Sequence, residues 1–349
     1  MSPTILEIKL SELTENQWEE VLKELKPSIH KVDRDATDIW YAFYPLALHR
    51  FLERAEDPEK AAQEFVLQGK YKLSDNIDES HDFLYGHRFW ADVKHAIAAR
   101  AEAFDKEELN LLEEMRAIAK SVSAGSNVEE SLVVGITFVG LMTLNQTGLE
   151  KFSETPRDIS KPKGILSGSP DQIIESRSKE PGQGFFGFLK TIDKEYKVRW
   201  DENDKKATFK VIHDEEIASG AARDQSREWR ARDERCKEGE GVIPVECRAA
   251  ACGTCWVGVI GGAEKLSDVE RLEKKQVKVF GYKQEEEARP TIRLACQARA
   301  EGSVSIVLPP WNGVFGKKIY GVEEVRLRPA TSTAAKQRQA IAEALSENE

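Results

Sequence analysis

Three of the chain's five cysteines fall within nine residues, in the stretch "CRAAACGTC" from Cys247 to Cys255. No other feature restricts the fold as much. The spacing is Cys247-x4-Cys252-x2-Cys255, and 40 residues separate Cys255 from Cys296. One tight loop can present three thiols together. A fourth joins them only if a distant segment folds back onto the loop. Taken alone, the stretch leaves three chemistries open: a structural metal, thiol redox exchange, or another thiolate-held group.

Structural zinc sites usually pair two Cys-x2-Cys knuckles, and only one such pair is present. A redox Cys-x2-Cys needs a βαβ setting, and the further cysteines at matching positions argue against it. Unliganded core cysteines would rarely produce this spacing. The order Cys-x4-Cys-x2-Cys…Cys is that of plant-type [2Fe–2S] centres. Ala249, Ala250, Ala251 and Gly253 are small enough to let backbone N–H groups reach sulfur. Such bonds stabilise negative charge and help set a reduction potential. Cys296 ends the strand-like "TIRLAC", where it can close a four-thiolate cage.

The stretches "PVECRAAACGTCWVGVIGG" and "RLACQARAEGSVSIVLP" resemble the cluster loop and closing segment of plant-type [2Fe–2S] ferredoxins. The family pattern is close to Cys-Arg-x-Gly-x-Cys-Gly-x-Cys, and the matches are Cys247, Arg248, Cys252, Gly253 and Cys255. The resemblance covers residues 196–312. It implies a β-grasp fold, a cluster near the surface at one end, and one-electron transfer between protein partners. Cys247, Cys252, Cys255 and Cys296 would be the ligands. Two departures stand out. Ala250 replaces the usual glycine, and would be strained if its φ is positive. A helix-prone insert, Ala222 to Gly241, precedes Cys247, where it could cover the cluster or form a docking surface. Cys236 on that insert reads as a partly exposed thiol, with redox sensitivity or intermolecular pairing as the sharper alternative.

The rest of the chain reads as α+β, an all-α part followed by the ferredoxin-like part. Residues 1–150 form a helical domain. Thr14 and Gln17 make a capping box, Asp57 and Pro58 open a helix, and "LVVGITFVGLMTL" (132–144) is a buried helix too short to span a bilayer. Residues 151–195, rich in Pro, Gly and Ser, read as a linker. Residues 196–322 alternate strand and turn, with a hairpin over 195–213 and a helix capped by Ser267. Residues 323–349 form a tail with a terminal helix.

The formal net charge is −10. Residues 1–150 hold 28 acidic and 16 basic side chains, a balance of −12, so this half could attract a basic partner. Nothing resembles a basic nucleic-acid face. The N-terminus lacks a secretory pattern, and five cysteines without one suit a cytoplasmic, reducing setting. "GQGFFG" (Gly182 to Gly187) has dinucleotide-loop spacing, but no strand precedes it. Four histidines, His49, His81, His87 and His95, cluster in sequence. Asp78-x-x-His81 and Asp92-x-x-His95 would share one helix, with helix-surface or core roles more common at such spacing than haem or metal ligation. The expected function is electron transfer by one [2Fe–2S] cluster between redox partner proteins, a reductase and an oxidase or oxygenase. The helical half would dock a partner or form a homodimer. The alternatives are an oxidoreductase subunit whose helical half binds haem, metal or substrate, and a redox-regulated binding protein.

Overall fold

The computed structural model describes residues 2–154, 159, 161–179, 194–283 and 289–323. The glycine-rich 182–187 stretch and the terminal helix expected beyond 323 lie outside the described residues. Helices α1 (Ile5–Glu12), α2 (Glu15–Leu25), α3 (Lys31–Phe43), α4 (Leu46–Arg54) and α5 (Pro58–Glu64) come first. Local chemistry fixes their starts. Thr14 accepts from the Gln17 N–H while the Gln17 side chain accepts from the Thr14 N–H, and Asp57 caps α5. A short strand β1 (Gln68–Gly69) precedes α6 (Trp90–Ala103), α7 (Leu111–Ser126), α8 (Ser131–Thr147) and α9 (Leu149–Phe152). Twelve consecutive residues of α8, Val133 to Leu144, are buried, as expected of a helix that is apolar all round.

The stretch read as a linker contains a helix, α10 (Pro170–Ser178), which opens on a Ser169/Gln172 capping box. Strands β2 (Glu195–Arg199) and β3 (Thr208–Ile212) form the expected hairpin. Helices α11 (Ile217–Arg223) and α12 (Trp229–Arg232) follow, then β4 (Trp256–Gly261), α13 (Arg271–Phe280), β5 (Ile292–Leu294), β6 (Val304–Val307), β7 (Trp311–Asn312) and α14 (Gly316–Tyr320). The main sheet is mixed and open, in the order β3-β2-β6-β4-β5. Among the described strands only β2 and β6 run parallel.

Helix α13 starts at Arg271, with Glu270 at its N-cap, and Ser267 is not its cap. The Ser267 hydroxyl instead accepts from the Arg299 N–H at 3.1 Å. The Ser267 carbonyl is also taken, by Arg293 at 2.9 Å. These long-range partners outcompete the local cap.

One hydrophobic core runs through both halves, from Leu6 and Trp18 to Val304 and Ile306. Helix α3 lies directly on β4: a Cβ at Gly258 would sit 2.5 Å from Ile39 Cγ2, so only glycine allows this approach. The Phe43 ring meets Trp256 edge-on at 5.2 Å. Trp311 Nε1 donates to the Phe43 carbonyl at 2.7 Å, and β1 pairs with β7. Beside α3 and against β4, Arg177 of α10 forms a buried ion pair with Glu202 at 2.9 Å. It also donates to the Val32 carbonyl at 2.6 Å. The helical part is thus a layer packed on the sheet.

Candidate iron–sulfur site

The cluster loop follows the buried run Val242 to Val245 and leads into β4. Its backbone alternates in hand. Arg248 has φ +51°, Ala250 φ +55° and Gly253 φ +70°. Ala250 therefore occupies the left-handed region, and the strain anticipated from its identity is present. The left-handed conformation costs an L-residue about 1–2 kcal/mol, while the Ala250 methyl is buried and recovers part of that. At Gly253 an added Cβ would meet the Phe280 ring at 3.0 Å and the Gly313 carbonyl at 3.2 Å, so both φ and space require glycine there.

This alternation turns successive N–H groups inward, a nest that favours negative charge. The N–H groups of Ala249 and Ala251 reach Cys247 Sγ at 3.4 and 3.2 Å. The N–H of Ala250 bonds Cys296. Burial pushes the Cys247 thiol up, but these N–H groups outweigh it and hold the thiol below its ordinary range. Thr254 Oγ1 lies 3.1 Å from Cys252 Sγ, and burial raises the Cys252 thiol.

Cys296 is brought back by β5. Trp256 opposes Leu294 in the β4–β5 register, and the Ala295 N–H donates to the Cys255 carbonyl at 2.8 Å. The segment is anchored from below by a fully buried pair. Arg293 Nε and Nη2 grip both carboxylate oxygens of Glu273 on α13 at 2.8 and 3.0 Å. Glu273 also accepts from the Leu294 N–H at 2.9 Å. No sequence motif announces this pair. The only signal was an arginine inside the apolar "TIRLAC".

The four thiols meet as two pairs, Cys247 with Cys252 and Cys255 with Cys296. In the second pair the contact pushes Cys255 up and Cys296 down, as for two thiols sharing a proton. Among the described residues no three His, Cys, Asp or Glu side chains converge on the position of a single metal ion. Ala249 and Ala251 are exposed beside the loop, and Cys247 and Cys252 are half-buried. The insert flanks this edge: Lys237 pairs with Glu246 at 2.8 Å, and Glu240 pairs with Arg248.

The remaining candidates fall elsewhere. Cys236 is buried, not partly exposed, and its Sγ points at the Val242 carbonyl, 3.4 Å away. Burial, reinforced by Asp233, pushes its thiol up to about 11, which makes it inert rather than redox-sensitive. The histidines do not share a helix. His81 lies in turns before a 3-10 segment, Tyr85–Phe89, that contains His87, and only His95 is on α6, where it is exposed. The buried Asp33 carboxylate holds the bend by accepting from the Tyr85 and Gly86 N–H groups at 2.6 and 2.7 Å. His81 and His87 are buried with Nδ1 atoms 2.9 Å apart. Burial, then the neighbouring His87, hold the His81 imidazole well below its ordinary range. His49 lies in a separate cleft.

Residues 201–301 match the family model described as the 2Fe-2S iron-sulfur cluster binding domain. No curated protein and no solved structure matches the chain. The family match thus places a 2Fe-2S ferredoxin domain at residues 201–301, and the N-terminal region matches no family model.

Proposed function

We propose that this protein is a one-electron carrier in which Cys247, Cys252, Cys255 and Cys296 hold a single [2Fe–2S] cluster. The observation that carries the reading is the set of N–H groups of Ala249, Ala250 and Ala251 directed at Cys247 and Cys296. When bound, the cluster supplies reversible uptake of one electron. The loop's donors stabilise the added negative charge, and the Arg293–Glu273 pair holds Cys296 in place. We read the sheet, with its parallel β2–β6 pair and α13 beside it, as a β-grasp variant with a helical layer on one face. Redox partner proteins would dock at the edge where Ala249 and Ala251 are exposed.

An anaerobic reductive titration tests this reading. One electron per chain should bleach the visible absorption, and cytochrome c should then take up one electron per reduced chain. Ala251→Glu should slow transfer to a protein acceptor while leaving the one-electron stoichiometry intact. Uptake of two electrons, or none, would refute the proposal.

A further inference from the structure

A cleft of about 250 Å³ lies in the helical layer, between α4, the 71–74 turn and the end of α8. Its floor is Tyr44, Leu48 and Leu73, all buried, and Leu52 and Tyr71 form walls. The polar groups are few. His49 is half-buried, burial holds its imidazole below the ordinary range against the pull of Glu53, and its Nε2 lies 3.8 Å from the Glu53 carboxylate, which leaves Nδ1 for an occupant. Gln146 gives one N–H to the Tyr44 carbonyl at 2.9 Å; its amide has a second N–H and an acceptor oxygen. The charged residues, Glu53 and Lys72, are exposed at the rim and opposite in sign.

We propose that this cleft binds a small, flat, uncharged aromatic molecule carrying an oxygen that can hydrogen-bond to His49. The volume lies below the range of drug-sized sites, which limits the occupant to about two fused rings. Tyrosine rings and leucine side chains favour a flat apolar body. The His49 imidazole, the Gln146 amide and the half-buried Ser74 hydroxyl give the polar contacts. No cationic group stands on the floor to neutralise an anion, and the balanced rim gives no net field for a charged ligand. The cleft also adjoins the cluster half. Leu48 belongs to the same small core as Trp311, whose ring is 5.8 Å from Trp256, the residue after Cys255. An occupant would sit one side-chain layer from Trp311.

The test titrates full-length, iron-loaded protein with 2-naphthol at pH 7.5, by equilibrium dialysis and tryptophan fluorescence. One molecule should bind per chain, saturably. His49→Ala should weaken binding about 3- to 10-fold, the loss of one net hydrogen bond. Leu52→Trp, which fills the cleft from its half-buried wall, should abolish it, and naphthalene-2-sulfonate should bind more weakly than 2-naphthol. Circular dichroism confirms folding, and if Leu52→Trp misfolds, the His49→Ala comparison decides. Non-saturable uptake, equal binding by His49→Ala, or tighter binding of the sulfonate would overturn the proposal. Iron content measured on the same samples separates such a failure from a failure of the cluster reading.

Discussion

Replacing Glu273 by glutamine should damage the cluster site without touching a cysteine. Arg293 is fully buried and gives three of its N–H groups to Glu273 and the Ser267 carbonyl. Glutamine removes the negative charge and one of the two acceptors that face the guanidinium. An uncompensated buried charge of this kind costs about 3–5 kcal/mol. Net stability of a folded domain is about 5–15 kcal/mol, so the loss is a large share of the total. Because β5 carries Leu294 and leads into Cys296, the cluster should be released faster from the variant, seen as loss of visible absorption in urea. Arg293→Met should cost a similar amount, since it leaves Glu273 buried without its cation. The Glu273→Gln/Arg293→Met double variant removes both charges but leaves the Ser267 carbonyl and the new amide N–H groups without partners, at about 1–3 kcal/mol each. Its cost should therefore match either single variant rather than their sum, a coupling of about 3 kcal/mol or more in the double-mutant cycle. Urea unfolding followed by circular dichroism and visible absorption measures all three. A Glu273→Gln cost under about 1 kcal/mol, or strictly additive costs, would refute the reasoning.

Ala250→Gly should change stability by less than about 1 kcal/mol: relief of about 1–2 kcal/mol of left-handed strain is offset by about 0.4–1 kcal/mol of unfolded-chain entropy and about 0.8 kcal/mol for a buried methyl. Thermal unfolding of the iron-loaded protein checks this, and a loss above about 2 kcal/mol would contradict it. Cys236 should resist iodoacetamide at pH 8 in the native, iron-loaded protein, at least about 100-fold more slowly than an unperturbed thiol, and mass spectrometry that finds it alkylated at the free-thiol rate would contradict its burial. His81 should make the fold acid-sensitive. Its folded pKa lies below the ordinary value of 6.5, so the unfolded chain binds the proton first. The share of stability that His81 contributes is then present above about pH 6.5 and falls by up to about 1.4 kcal/mol per unit as the pH drops below it, opposite in sign to the buried Asp33 and Asp82 carboxyls, which burial pushes up to about 6 and about 7. His81→Phe should flatten this slope in urea unfolding between pH 6.5 and 5, and an unchanged slope would contradict the assignment.

Features set by neighbouring residues were legible in the sequence. The cysteine spacing marked the loop, "DENDKK" marked the β2–β3 hairpin, and Thr14/Gln17 and Asp57/Pro58 marked helix starts, because caps and turns act within a few residues. Ala250 signalled strain by its identity alone, although only the backbone shows that φ is positive. Features set by long-range packing were not legible. Asp33, more than 50 residues away, holds the bend that breaks the expected histidine helix. Ser267 reads as a cap until Arg293 and Arg299 occupy its carbonyl and hydroxyl. The 151–195 stretch looks polar enough for a linker, yet its Arg177 is buried against Glu202 and the Val32 carbonyl. Cys236 lies in a polar stretch, and its burial depends on the fold of the whole insert.

Iron and acid-labile sulfide counts, combined with EPR after reduction, test the central claim most directly. Two irons and two sulfides per chain are expected, with a rhombic signal that integrates to one spin and is lost or altered in Cys296→Ser. Zinc without sulfide, or a signal indifferent to Cys296, would contradict the claim that the returning strand supplies the fourth thiolate of a [2Fe–2S] cluster.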